Sequence, residues 1–123
     1  MEQEPPRPRR QFSIMDYFLY PTHVGYFEHP ARAAEENIPD EALKVQFMLQ
    51  LDGNVVSGAR FRATTCSTLV ACCERLCEVA EGKTIGEALE IQPQEIRDYF
   101  GQIPDGKANR ADLAVKALRK TLA

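Results

Sequence analysis

No apolar run in the 123 residues approaches the ~20 that a membrane-spanning helix needs, which excludes a helical span. The first residues lack the charged-then-apolar order of a secretory signal. Instead Pro5, Pro6 and Pro8 stand among Arg7, Arg9 and Arg10, and the composition predicts a disordered leader over residues 1–11 with the domain proper from 12 to 123. There is no long block of one charge sign. With 15 basic and 18 acidic residues the net charge is −3, so a general nucleic-acid footprint is excluded. CxxC, HExxH, the phosphate-binding loop, GxGxxG and GxSxG are all missing, which removes the commonest metal, nucleotide and acyl-transfer signatures. Cysteine is confined to one stretch, at Cys66, Cys72, Cys73 and Cys77. A disulfide framework would tie distant segments together, and cysteines this close cannot, so reduced thiols in a cytoplasmic domain fit better.

What is present is ordinary for one globular domain: 44% apolar and 27% charged residues. Ile14–Tyr20 reads as a short amphipathic helix stopped by Pro21. His23 to Pro39 reads as loop, with a helical turn at Ala31–Glu36. From Ala42 to Leu51 the apolar positions Leu43, Val45, Phe47 and Leu49 alternate with polar ones, the period of a half-buried strand. Asp52-Gly53-Asn54 is a turn signal, and Val55–Thr64 returns as a second strand with a bulge near Ser57-Gly58.

After the hairpin the period changes. Leu69, Val70, Cys73, Leu76, Cys77 and Ala80 recur at three- and four-residue steps, predicting a helix over Ser67–Ala80 closed by Gly82. Thr84 and Glu87 form a capping box for a short helix to Glu90, and Pro93 opens the next, ended by Gly101 and Pro104. Asn109 to Asp112 is expected to cap a last helix with Leu113, Ala117, Leu118 and Leu122 inward. The expectation is an α+β domain, helices packed on a small antiparallel sheet.

Cys66 falls where a strand hands over to a helix, among Thr64, Thr65, Ser67 and Thr68. Partial positive charge and free N–H groups at a helix start lower a thiol pKa and make a sulfur nucleophile or ligand. Cys73 and Cys77 read as small buried hydrophobes; Cys72, turned about a third of a helical circle away, is expected to be partly exposed. His23 and His29 read as solvated loop residues, and the Tyr17, Phe18, Tyr20, Tyr26 and Phe27 rings as a lid on the core.

The chain also resembles the IscU/NifU N-terminal family of iron–sulfur cluster assembly scaffolds. Asp16-Tyr-Phe-Leu-Tyr-Pro21-Thr-His-Val24-Gly25-Tyr-Phe27 is similar to its D-H-Y-x-x-P-x-x-V-G-x-F opening, and Ala42-Leu-Lys44-Val-Gln46-Phe to its first strand. Ala59-Arg-Phe61-Arg-Ala-Thr-Thr-Cys66 is similar to A-R-F-K-x-x-G-C, and Glu81-Gly-Lys-Thr-Ile-Gly-Glu-Ala-Leu89 to K-G-K-T-L-D-E-A-L. The resemblance implies a SufE/NifU-like fold and a non-enzymatic role in iron–sulfur assembly. It also implies an iron or 2Fe–2S cargo, and a cysteine desulfurase, another assembly protein or a host complex as partner. The family holds its cluster with three cysteines, an aspartate and a histidine. By register only the second cysteine is kept, as Cys66. Pro39 and Arg110 stand at the other two cysteine positions, Glu41 at the aspartate and Asn109 at the histidine. Ile103, Pro104 and Lys107 retain part of the family's L-P-P-V-K docking segment. Proline offers no ligand atom and arginine is a permanent cation, so the implied reading is a scaffold homologue without autonomous cluster assembly. A partner-docking subunit and a persulfide acceptor working through Cys66 are the alternatives.

Overall fold

The structure, a computed structural model, describes residues 12–123; the expected leader over 1–11 lies outside the described residues. Helix α1 (Ile14–Leu19) is followed by three strands, β1 (Arg32–Ile38), β2 (Leu43–Asp52) and β3 (Val55–Ala63). Four helices then complete the chain: α2 (Ser67–Ala80), α3 (Ile85–Leu89), α4 (Pro93–Phe100) and α5 (Asn109–Leu122). The sheet is antiparallel in the order β1-β2-β3. One face of β2 presents Leu43, Val45, Phe47 and Leu49, all buried, to α2 and α5, as their alternation predicts. No helix of the described residues is long and apolar enough to cross a membrane.

The local signals act where the sequence places them. Gly53 turns the β2–β3 hairpin at φ +63°, a conformation that costs glycine nothing. Gln50 pairs with Gly58 and Leu51 with Val56, so Ser57 is the extra residue of a bulge. Gly58 has a packing reason as well, since a Cβ there would meet the Phe27 ring at 3.1 Å. Thr84 with Glu87 closes the expected capping box on α3, and the structure adds a second, Ser13 with Asp16, on α1.

Two expectations about local structure are corrected. Residues Ala31–Glu36 make no helical turn: Arg32–Ile38 is an edge strand, with Ala34 opposite Phe47 and Glu36 opposite Val45. Alanine and glutamate favour helix locally, but seven residues of ladder against β2 override that preference. Arg32 and Lys120 then tie this strand to α5, Arg32 donating to the Leu122 carbonyl at 3.0 Å and Lys120 to that of Glu35 at 3.0 Å. The second correction is at α5, where Ala108 takes the cap position and no side chain caps the helix. Asn109 is already helical, and its side chain serves another purpose.

Candidate functional site

The end of β3 and the start of α2 deliver Cys66 to the surface. Its backbone is extended (φ −142°, ψ 119°), it occupies the cap position of α2, and its carbonyl accepts the Val70 N–H at 2.9 Å. The side chain is partly exposed. Burial pushes the thiol up, but backbone N–H groups of Leu69 and Thr68 and the Arg110 guanidinium outweigh it. The net result is a thiol below its ordinary pKa, with thiolate present at lower pH than for a free cysteine.

Two other segments converge there. The 3-10 turn Pro39–Glu41 ends on Ala42 in the left-handed region, φ 54° and ψ 37°, with the Ala42 N–H on the Pro39 carbonyl at 3.1 Å. That reversal aims Glu41 at the start of α5. Arg110 Nη1 donates to Glu41 Oε1 at 2.7 Å and to Asn109 Oδ1 at 2.7 Å, and Asn109 Nδ2 donates to Glu41 Oε2 at 2.8 Å. Bonds from Asn109 first, and from Arg110, hold the Glu41 carboxyl below the usual carboxylate range. Glu41, Cys66 and the adjacent pair Asn109 and Arg110, three segments far apart in sequence, thus form one cluster, while Pro39 precedes Glu41 in the turn with no donor to offer. The loop before α5 borders the cluster. Pro104 is exposed, Ile103 and Lys107 are half-buried, and the Pro104 carbonyl accepts from Lys107 N–H at 3.1 Å.

The other cysteines differ in part from expectation. Cys73 and Cys77 are buried, as the helical stripe requires, but so is Cys72, fully. Its side of α2 is covered as well, and burial pushes its thiol up to about 12. The thiols of Cys73 and Cys77 are raised well above their ordinary value by the same cause.

His23 is also not solvated. Its Nδ1 meets Glu74 Oε2 and its Nε2 meets Glu81 Oε1 at 2.7 Å, while Glu81 Oε2 accepts the Ala59 N–H at 3.1 Å. Hydrogen bonding to Glu74 raises the imidazole pKa to about 9 against the opposing effect of burial, with Glu81 adding to the rise. The ring is therefore an imidazolium bridging two carboxylates and pinning the Pro21–Gly25 segment to α2 and β3. Beside it lies a cavity of about 590 Å³, lined among others by Phe12, Tyr17, Tyr20 and Glu78. Tyr17 closes its floor, bonded to Glu78 at 2.5 Å and Tyr99 at 2.6 Å, and burial with these two bonds raises its phenol pKa. Tyr17 is thus a core lid as expected, whereas Tyr20 and Tyr26 stand exposed. No signal in the sequence links His23 to Glu74, 51 residues away.

Comparison with known families settles the ancestry. The profile of the family described as NifU-like N terminal domain matches residues 10–123. The chain belongs to that family. Among its relatives, the iron–sulfur cluster assembly scaffold protein IscU 1 of Archaeoglobus fulgidus is 27% identical over 109 residues, covering 89% of this chain and 71% of the relative. The iron–sulfur cluster assembly protein IscU of Plasmodium falciparum is 28% identical over 112 residues, covering 89% of this chain and 68% of the relative. A crystal structure from Fervidobacterium islandicum, described as a candidate iron–sulfur cluster assembly scaffold for the SUF system, superposes with a TM-score of 0.75. It is 20% identical and the match covers 89% of this chain and 93% of that one, confirming the α+β NifU-like fold.

Within this NifU-like domain the cluster at Cys66 does not suit a four-ligand iron–sulfur cargo. One thiol and one carboxylate converge on an arginine, which cannot ligate metal, and the carboxylate is already bonded by Asn109 and Arg110. Among the described residues no group of three or more His, Cys, Asp and Glu side chains is placed to hold a metal ion.

Proposed function

We propose that this chain serves iron–sulfur cluster assembly as a non-enzymatic, scaffold-type protein whose reactive group is Cys66. Membership in the NifU-like N terminal domain family and the names of its relatives support the pathway. The observation that carries the mechanism is the placement of Cys66: half-exposed, at the start of a 14-residue helix and beside Arg110. That setting makes a sulfur nucleophile, whereas the site's donor set falls short of the four ligands of a cluster. In this reading Cys66 accepts sulfur from a persulfide-bearing partner such as a cysteine desulfurase in the cytoplasm, and any iron or 2Fe–2S unit is built on the ligands of a partner. Ile103, Pro104 and Lys107, on the loop bordering the site, are the proposed docking contacts for an assembly protein.

The test is anaerobic purification with iron and acid-labile sulfide measured per chain, followed by exposure to a desulfurase and cysteine. Little iron, and a mass gain of one sulfur atom that Cys66→Ser abolishes, is the expected result. Near-stoichiometric iron and sulfide in the isolated chain would overturn it in favour of a rebuilt cluster site. Neither metal nor sulfur would leave the docking role of the Ile103–Lys107 loop as the function.

A further inference from the structure

Arg110 is a cation on which the two ligand-type side chains of the site, Glu41 and Cys66, converge. It is 8% exposed, at the start of α5, with Nη1 committed to Glu41 and Asn109. The same guanidinium stands beside Cys66. Its Nε is buried and has no hydrogen-bond partner among the described residues, as is also true of Arg75 Nε, Arg119 Nε and, in the first turn of α2, Thr68 Oγ1. A buried guanidinium N–H without an acceptor is unusual in a folded protein, because its desolvation is left uncompensated. Here the orphan donor belongs to a side chain against a helix start whose first amides also lack helical acceptors. The Glu41 carboxylate is bonded by Asn109 and paired with Arg110 Nη1, which leaves Nε as the spare donor of the guanidinium. A spare guanidinium donor beside a thiol describes a receptor for an anion on sulfur. It also describes a barrier to a divalent cation.

We infer that Arg110 sets the cargo of Cys66, holding the anionic outer sulfur of a Cys66 persulfide and keeping divalent metal away from Cys66 and Glu41. The inference rests on the reading of Cys66 as a sulfur acceptor. The Cys66 thiolate attacks the terminal sulfur of a donor persulfide R–S–SH. The bond from Cys66 to that sulfur forms as the donor's S–S bond breaks, and the donor leaves as a thiolate that takes up the terminal proton. No oxidant or reductant is consumed, and the negative charge ends on the outer sulfur beside Arg110. Charge-assisted N–H bonds to such a sulfur lower its nucleophilicity and hold it until a partner collects it.

The experiment uses the full chain, with glutathione persulfide as donor, and reads sulfane sulfur by cold cyanolysis during a chase with glutathione. A parallel titration with cobalt(II) reads thiolate-to-metal absorption. Wild type is expected to hold one sulfur on Cys66 and to show no cobalt–thiolate band. Arg110→Gln should lose the sulfur about tenfold faster and gain the band, and Arg110→Lys should restore most of the lifetime because the charge returns. Equal lifetimes in wild type and Arg110→Gln would overturn the role of Arg110 while leaving Cys66 as acceptor. Absence of uptake by wild type would overturn both readings together. A cobalt–thiolate band in wild type would overturn the exclusion of metal without recourse to any variant, so the inference stays open to refutation even if Arg110→Gln fails to fold.

Discussion

The Arg110 guanidinium and the Glu41 carboxylate meet at 2.7 Å across 69 residues of sequence, joining the start of α5 to the turn before β2. Arg110 also faces Cys66, so the two substitutions at this pair pull the thiol in opposite directions. Arg110→Gln removes a cation and raises the Cys66 pKa. Glu41→Gln leaves the cation unshared and lowers it. The check is the pH dependence of iodoacetamide alkylation, whose midpoint should move up in the first variant and down in the second.

The His23 bridge makes stability depend on pH at the alkaline side. The imidazole pKa is raised from an unfolded value near 6.5 to about 9 by Glu74 and Glu81. The folded state therefore binds the proton more tightly, and the stabilisation is fully present below pH 6.5 and is lost as pH rises through 9. The amount is of the order of 2 kcal/mol for a ring this well buried. Urea unfolding from pH 6 to 10 should show that decline in wild type and a much flatter profile in His23→Gln.

How much of this was readable in advance follows the range of the forces involved. The hairpin at Gly53, the bulge at Ser57, the capping box at Thr84 and the helix start at Pro93 are set by residues within a few positions of one another, and all form as the sequence predicts. β1 was hidden because Ala33, Ala34, Glu35 and Glu36 prefer helix, and only the ladder to β2 makes them a strand. Cys72 reads as partly exposed because the helical stripe shows one buried side of α2, and the sequence does not reveal that the other side is covered too. Cys66 was recognisable from its place before a helix. Its neighbours Glu41, Asn109 and Arg110 entered only through register with a known family. The His23–Glu74–Glu81 bridge had neither local pattern nor family motif to announce it.

Ala42 holds a left-handed conformation at φ 54° directly after Glu41, a geometry that disfavours any residue with a Cβ. Ala42→Gly relieves that strain, partly offset by the greater freedom of glycine in the unfolded chain. A gain of about 0.5–1 kcal/mol is expected. Denaturant unfolding would show it as a higher midpoint at unchanged slope, with Cys66 reactivity unaltered because Glu41 keeps its bonds to Asn109 and Arg110. A loss of stability would mean that the turn draws on the alanine methyl group for packing.

The four thiols divide into one that reacts and three that support the core. Cys72, Cys73 and Cys77 are buried and hold their protons, whereas Cys66 is partly exposed with a lowered pKa. A native titration with an aromatic disulfide should give a single fast equivalent, lost in Cys66→Ser, and the rest only on unfolding. Stability should divide the other way. Cys66→Ser changes a half-exposed cap and costs less than about 0.5 kcal/mol. Cys73→Ser puts a hydroxyl into a fully buried position and costs about 1–3 kcal/mol. If Cys73→Ser removed sulfur uptake while leaving stability intact, the burial of that face of α2 would be wrong, and with it the assignment of Cys66 as the sole reactive thiol.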